Sequence, residues 1–157
     1  MTYVFRNNTI EPFFGANYTF SGYDDISLIP DAEAYIWWYQ LPLKYDSMQL
    51  ANEVRMYQSK LEYLVNHVPT NKTFYIFTIA PSSLPQIELR NSAVQLAIQD
   101  VNAYIHQLSL SQTNIKLVNI NNFVCQYAAN DLVDWKYYFT AQIPYNPQLV
   151  RAFRTWW

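Results

Sequence analysis

Apolar and polar positions along the chain follow two patterns: short continuous apolar runs, and longer stretches in which apolar residues recur every three or four positions. Five runs have the length and the β-branched or aromatic content that are typical of strands. They span residues 2–6, 17–21, 33–40, 73–79 and 115–120. The third run is nearly all apolar, as in a central strand that is covered on both faces. The core positions that these runs predict are Ile36, Trp37, Phe74, Ile76, Leu117 and Val118.

Helical spacing follows the third and fourth runs. One helix begins near Ser47 and ends before Pro69, and a second spans roughly Asn91 to Leu110. A short helix is expected around Phe123 to Ala128, whereas residues 134–157 show no regular pattern. Strands that alternate with helices of this length predict right-handed crossovers and a parallel sheet with helices on both sides. The predicted fold is a three-layer α/β domain with the flavodoxin-like strand order 2-1-3-4-5.

Length and composition favour a single folded domain over residues 1–157. The chain is close to the rough prior of about 150 residues per domain, and no stretch has the composition of a linker. Apolar residues make up 51% and charged residues 14%, a composition typical of a well-folded protein. Aromatic residues reach 18%. We interpret them as residues that pack in the core and at interfaces, in preference to residues that stack on a ligand. The adjacent Trp156 and Trp157 predict a domain junction, because two large apolar side chains at a chain end need cover.

Charge and cysteine content argue against several classes of function. Ten basic and twelve acidic residues give a net charge of -2 without a Lys/Arg run, which argues against binding to nucleic acid. The sequence shows neither a signal segment nor an apolar run of about 20 residues, so we expect a cytoplasmic protein that does not enter a membrane. The single cysteine, Cys125, is expected to be a small core residue. We expect no cofactor.

Candidate chemistry lies where ligands bind in open parallel sheets, beyond the carboxyl ends of the strands. Asn7-Asn8-Thr9 follows the first strand, Gly22 to Asp25 the second, Gln40 the third, and Ala80 to Pro85 the fourth. Asp24 and Asp25 have no third ligand at a usual spacing, which predicts a solvated turn or a cap and no metal site.

The two histidines are expected to have structural positions on the long helices. His67 lies near the end of the first helix, where a cation is favoured by the helix dipole. His106 follows the apolar Ile105 in the second helix and is expected to face solvent. Neither histidine follows a strand.

Three segments together resemble a known module. They are the turn Asn7-Asn8-Thr9-Ile10-Glu11-Pro12-Phe13, the step Phe20-Ser21-Gly22-Tyr23-Asp24, and the ending Asp134-Trp135-Lys136-Tyr137-Tyr138 with Ile143-Pro144-Tyr145-Asn146-Pro147. In this order they resemble the amino-terminal SGNH-hydrolase-like domain of FkbH-like bacterial proteins of the HAD superfamily, from Val4 to Trp157. In that family the module precedes a HAD-type, phosphatase-like domain, which is not part of these 157 residues.

The resemblance implies a hydrolase site whose key residues are changed. In active members a Ser after the first strand is the nucleophile, a Gly and an Asn form the oxyanion hole, and an Asp-x-x-His supplies the base. Here Asn8 falls at the nucleophile position, Gly22 and Gln40 at the oxyanion positions, and Tyr137 at the position of the histidine after Asp134. Neither an amide nor a phenol performs these roles at neutral pH.

Three hypotheses of function follow. The first, which we favour, is a catalytically degenerate domain that binds a HAD domain of the same protein, an acyl carrier protein, a carrier-bound acyl group or a small polar ligand through Asn7, Gly22 and Gln40. The second is an active esterase or acyltransferase with an unusual nucleophile, based on Thr9, Asp134, Ser82 and Ser83. The third is a carbohydrate-binding module that stacks sugars on exposed tryptophans, although Trp37 and Trp38 are expected to be buried.

Overall fold

The described chain forms a five-stranded parallel sheet with helices on both faces. A computed structural model describes residues 1–41, 47–80, 92–127 and 145–157. The strands are β1 (Thr2–Arg6), β2 (Tyr18–Tyr23), β3 (Ala34–Trp38), β4 (Thr73–Phe77) and β5 (Ile115–Val118). Their order in the sheet is β2-β1-β3-β4-β5, and all pairs are parallel. The predicted α/β class and strand order are confirmed.

Helices α1 (Ser47–His67) and α2 (Ser92–Ser111) pack against each other on one face of the sheet. The apolar positions that predicted these helices are buried, because a spacing of three and four places them on one side of each helix. In α1 they are Leu50, Val54, Leu61 and Leu64, and in α2 they are Val94, Ala97, Val101, Ile105 and Leu108. Tyr57 of α1 meets Tyr39, just after β3, with the ring centroids 5.1 Å apart.

The opposite face is covered by shorter elements with large aromatic side chains. They are a 3₁₀ helix (Glu11–Phe13), α3 (Asn121–Val124), a second 3₁₀ helix (Pro147–Leu149) and α4 (Val150–Trp156). Phe153 of α4 stacks on Trp38 with the centroids 5.1 Å apart and meets Phe13 edge to face at 5.5 Å. Trp37 and Trp38 are buried, so neither belongs to a sugar-stacking surface.

The irregular tail predicted for residues 134–157 is wrong in its last part, where α4 forms. Leu149, Phe153 and Trp157 recur every fourth residue, and α4 turns this side toward the sheet. Trp157 packs on Phe77 and donates its indole N–H to the Tyr18 hydroxyl at 3.0 Å. The two terminal tryptophans are therefore partly covered by the chain's own residues.

Three further side chains differ from their expected burial. Cys125 is exposed, because Phe123 and Val124 occupy the inner side of the single turn of α3 and the next residue points outward. Leu117 and Val118 are only partly buried, because β5 is an edge strand with a sheet neighbour on one side. Ile36, Trp37, Phe74 and Ile76, on the central strands, are buried as predicted.

Several strands begin or end at residues slightly different from those predicted. Strand β2 continues to Tyr23 and thus includes Gly22, whereas β3 ends at Trp38, two residues before Gln40. None of the described helices is both long and apolar enough to cross a membrane.

Candidate functional site

The carboxyl ends of β1, β2 and β3 meet at one edge of the sheet. Because β1 lies between β2 and β3, the turn after β1 is flanked by the ends of both neighbours. Asn7, Asn8 and Gln40 are brought together there, as the sequence predicted. Asp134 and Tyr137, the predicted positions of a catalytic Asp and His, lie outside the described residues, as do Ser82 and Ser83.

Asn7 joins the end of β1 to the segment after β3. Its Oδ1 accepts the Gln40 backbone N–H at 2.9 Å, and its Nδ2 donates to the Gln40 carbonyl oxygen at 2.8 Å. Nδ2 also donates to the Tyr57 hydroxyl at 3.0 Å. The side-chain amide thereby continues the pairing of β1 with β3 by one more rung after Arg6 and Trp38.

Asn8, the residue that the sequence resemblance assigns to the nucleophile position, has a buried side chain. Only 7% of the residue is exposed. Its Nδ2 donates to Asn7 Oδ1 at 2.8 Å, which completes the two acceptor and two donor positions of the Asn7 amide. A carboxamide held in this way has no nucleophilic atom to offer an ester.

Thr9 presents the hydroxyl that lies next to Asn8. Its Oγ1 is hydrogen-bonded to the hydroxyl of Tyr23, at the end of β2. Tyr23 is 54% exposed, so this pair lies at the surface of the site. The contact joins the ends of β1 and β2 but supplies neither an imidazole nor a carboxylate that would remove the Thr9 proton.

Gln40 is buried, with 4% of the residue exposed. Its Oε1 accepts the hydroxyl of Tyr145 at 3.3 Å, and Tyr145 is itself fully buried. A residue of the last described segment thus contacts Gln40, the residue that the sequence resemblance assigns to the oxyanion hole. Tyr57 adds a hydrogen bond from its hydroxyl to the Gln40 carbonyl at 3.3 Å.

Gly22 faces the loop that follows β2. It is exposed, and its backbone does not have a positive φ. A Cβ at this position would lie 3.4 Å from Asp25 Cβ, which is an ordinary van der Waals distance. The backbone therefore does not need glycine here.

Two ion pairs link charged side chains around these strand ends to neighbouring elements. Arg6 binds Glu11 and lies over the Tyr23 ring, 4.6 Å from its centroid. Lys60 of α1 binds Asp24 Oδ2 at 2.5 Å, and Asp24 has a left-handed backbone with a φ of 57°. The first contact attaches the end of β1 to the 3₁₀ helix Glu11–Phe13, and the second attaches the turn after β2 to α1.

Two ionisable groups at this edge have shifted pKa values. Hydrogen bonds from the side chain and backbone of Ser27 lower the pKa of Asp25, whose Oδ1 accepts both. Burial raises the pKa of Tyr39, and the nearby Asp24 carboxylate raises it further. Within the described residues, the Tyr39 hydroxyl has no hydrogen-bond partner of good geometry.

The remaining expectations for this edge concern metals and histidines. In the described ranges, no three His, Cys, Asp or Glu side chains are grouped so that they could hold a metal ion. Asp25 lies in an exposed turn, where it accepts hydrogen bonds from Ser27, whereas Asp24 is half-buried and forms an ion pair with Lys60 that the sequence did not predict. His67 Nδ1 contacts the Tyr63 carbonyl oxygen at 2.6 Å at the end of α1, and His106 is exposed on α2.

Three tyrosines of this edge were given no role in the sequence analysis, although Tyr23 and Tyr145 lie in segments that carry the resemblance. Tyr57, Tyr145 and Tyr23 supply the hydroxyls that contact Asn7, Gln40 and Thr9. Tyr57 had a detectable signal, because it shares the buried side of α1 with Val54 and Leu61, where a hydroxyl needs a partner.

Comparison with known proteins identifies the fold. No family model matches the chain, and no curated protein sequence matches it. A solved structure with the same fold is the N-terminal part of a protein from Bacteroides fragilis, which contains a phosphatase domain and was crystallised with Mg. The TM-score is 0.66 at 11% identity over 98% of this chain. The present chain spans 50% of the length of that neighbour.

Proposed function

We propose that this chain is an SGNH-hydrolase-like domain with a degenerate catalytic site, and that it works as a binding module within a HAD-type biosynthetic protein. The observation that carries the proposal is the hydrogen bonding of the Asn8 side chain within the protein. Its amide, at the position that the resemblance assigns to the nucleophile, is buried and donates to Asn7, which in turn is bonded to Gln40. These side chains stabilise the edge of the sheet in place of a reacting group.

The fold comparison supports the placement in a larger protein. The Bacteroides fragilis neighbour contains a phosphatase domain, and the present chain corresponds to half of its length. A HAD domain in the same protein is the partner that this relationship favours. Sequencing of the coding region beyond residue 157 tests this part directly, and a following region without a HAD domain would contradict it.

The ligand that fits this edge is small and polar, or an acyl group on its carrier. Arg6 and Lys60 are paired with Glu11 and Asp24, so the edge favours hydroxyl, amide or thioester groups over ions. S-acetylpantetheine is a suitable probe, because it carries two amides and an acyl thioester. We expect its titration to shift the side-chain amide signals of Asn8 and Gln40 in NMR spectra. Unchanged amide signals at saturating probe would exclude the acyl-carrier form of the proposal.

The second candidate is an active esterase or acyltransferase in which Thr9 is the nucleophile. The observation in its favour is the hydroxyl of Thr9, which lies beside Asn8 and reaches the Tyr23 hydroxyl. The same contact argues against this candidate, because a tyrosine phenol is a poor base at neutral pH and would not remove the proton of Thr9.

Hydrolysis of 4-nitrophenyl acetate and of a short thioester separates the two candidates. We expect the native chain to be indistinguishable from a heat-denatured sample, since an amide and a phenol at the assigned positions supply neither a nucleophile nor a base at neutral pH. Turnover that disappears in Thr9→Val or Asp134→Asn, but not in the exposed strand variant Thr19→Val, would establish an enzyme and overturn the proposal.

A gain-of-function variant tests the assignment of positions. The double change Asn8→Ser with Tyr137→His would place a nucleophile and a base at the two positions that the resemblance assigns. Esterase activity in the double variant, and in neither single variant, would support a degenerate hydrolase site.

A further inference from the structure

A second concave surface lies between α3 and α4, apart from the strand-end site. This groove has a volume of about 560 Å³, within the range of about 300–1,000 Å³ that is typical of small-molecule sites. Its aromatic lining residues are Phe123, Tyr127 and Trp156, and its polar ones include Gln126, Gln148 and Arg151. None of them takes part in the contacts of Asn7, Asn8 or Gln40.

Arg151 is the charged group of the groove. It is exposed, and in the described part of the chain its guanidinium has neither an ion pair nor a hydrogen bond. Arg154 on the same helix differs, because it donates to the carbonyl oxygens of Pro12 and Phe14 at 2.9 Å. The lining residues that the structure describes include no Asp or Glu that would neutralise the positive charge of Arg151.

The amide side chains extend this polar side of the groove. Gln148 is exposed. Its backbone N–H donates to Asn146 Oδ1, but its side chain makes no hydrogen bond within the described chain. Its carboxamide N–H groups are therefore available to an oxygen acceptor. A guanidinium with a neighbouring amide donor is a common arrangement for binding carboxylate or phosphate oxygens.

The aromatic side of the groove offers flat apolar surface. Trp156 and Tyr127 are both partly buried, and each packs against Phe123, with centroid distances of 5.5 Å and 5.3 Å. Their ring planes are tilted by 39° and 59° from that of Phe123, which is buried behind them, so the exposed aromatic surface of the groove comes from Trp156 and Tyr127. A planar ring of a ligand can pack against such a surface by stacking or edge-to-face contact.

We propose that the groove between α3 and α4 binds a small organic anion with a planar ring, with the ring against Trp156 and the anionic group at Arg151. The anionic group is a carboxylate or a phosphate, which share the geometry that a guanidinium recognises. This site is independent of the function proposed for the strand ends, and either one can fail without the other.

Titration with paired probes tests the site. The indole N–H signal of Trp156, assigned from its loss in Trp156→Phe, is followed by NMR in the intact chain. Indole-3-acetate and adenosine monophosphate are the carboxylate and phosphate probes, and indole-3-acetamide and adenosine are their uncharged counterparts. We expect saturable shifts with at least one anion and binding about tenfold or more weaker for its uncharged counterpart, as the loss of a charged hydrogen bond predicts. The two anions distinguish the carboxylate from the phosphate source.

Two arginine variants complete the test. Arg151→Gln should weaken binding of the anion about tenfold or more and leave binding of the uncharged probe unchanged. Arg55→Gln, which alters an exposed arginine on α1, is the matched control and should bind as the native chain does. The proposal is overturned if neither anion shifts the Trp156 signal, if charged and uncharged probes bind equally, or if a folded Arg151→Gln variant retains full affinity.

Discussion

The side-chain amide of Asn7 pairs with the backbone of Gln40 as the peptide group of an adjacent strand would. Both backbone polar groups of Gln40 are bonded to it, at 2.9 Å for the N–H and 2.8 Å for the carbonyl. The ends of β1 and β3 are therefore held together beyond the last residue of either strand. This one residue fixes the position of Asn8 and of the turn that follows.

Substitution of Asn7 tests how much this pairing stabilises the fold. Asn7→Asp removes both N–H donors and places a carboxylate beside the Gln40 carbonyl, so we expect a loss of about 2–4 kcal/mol in the free energy of unfolding at neutral pH. Urea unfolding measures the change. The matched control is Asn122→Asp on α3, where the side chain is exposed and a change below about 0.5 kcal/mol is expected. Equal effects of the two substitutions would contradict a structural role for Asn7.

The raised pKa of Tyr39 predicts that the free energy of unfolding depends on pH in the alkaline range. Its pKa is raised in the folded protein, chiefly by burial, so folding favours the protonated phenol. The stability linked to this group is fully present below the unfolded pKa of 10.0 and is lost as the pH rises beyond it.

The variant Tyr39→Phe removes this linkage. Relative to the native chain, it should therefore gain stability between pH 9 and pH 11, with a limiting slope of about 1.4 kcal/mol per pH unit above the unfolded pKa. Unfolding curves at several pH values provide the measurement, and Tyr63→Phe, at an exposed position, is the comparison. A constant difference between Tyr39→Phe and the native chain across this range would show that the phenol is not linked to folding.

A substitution at Gly22 tests whether glycine is needed there for the structure or for ligand binding. Because its φ is not positive and a Cβ would have room, Gly22→Ala should change the free energy of unfolding by less than about 0.5 kcal/mol. If the strand-end site binds ligand through close approach to this backbone, the same variant should bind S-acetylpantetheine more weakly. A large loss of stability in thermal unfolding would disprove the structural part of this expectation.

Arg154 attaches α4 to the 3₁₀ helix after β1. Its Nη2 donates to the carbonyl oxygens of Pro12 and Phe14, each at 2.9 Å. Arg154→Ala should therefore cost about 1–3 kcal/mol in the free energy of unfolding, the usual range for charge-assisted hydrogen bonds. Arg151→Ala, three residues earlier on the exposed side of α4, should cost less than about 0.5 kcal/mol. Chemical denaturation of both variants makes the comparison, and similar losses would mean that the carbonyl contacts contribute little.

Much of the fold could be predicted because the apolar runs are unambiguous. Residues 33–40 carry too many apolar side chains for a surface strand, and this placed β3 at the centre of the sheet. The meeting of Asn7, Asn8 and Gln40 followed from the same topology, because neighbouring parallel strands end at the same edge. Helix α4 was missed because its apolar spacing covers only two turns, which is too short for a periodic signal.

The partners in the candidate site were harder to predict than its strand-end residues. Tyr57 and Tyr145 reach Asn7 and Gln40 from elements 50 and 105 positions away, and their approach depends on how those elements pack on the sheet. Sequence spacing does not encode such contacts. The same reasoning explains the error at Cys125, whose exposure depends on the orientation of one helical turn.

The contacts of Arg154 also have a consequence for the order of folding. They join residues 142 and 140 positions apart, nearly the whole length of the chain. During synthesis the amino-terminal strands emerge well before α4, so these contacts can form only after α4 has left the ribosome. Loop closure over such a distance is slow compared with the formation of local helices such as α1. On the ribosome, the segment around Pro12 and Phe14 therefore stays without its final cover until α4 has emerged.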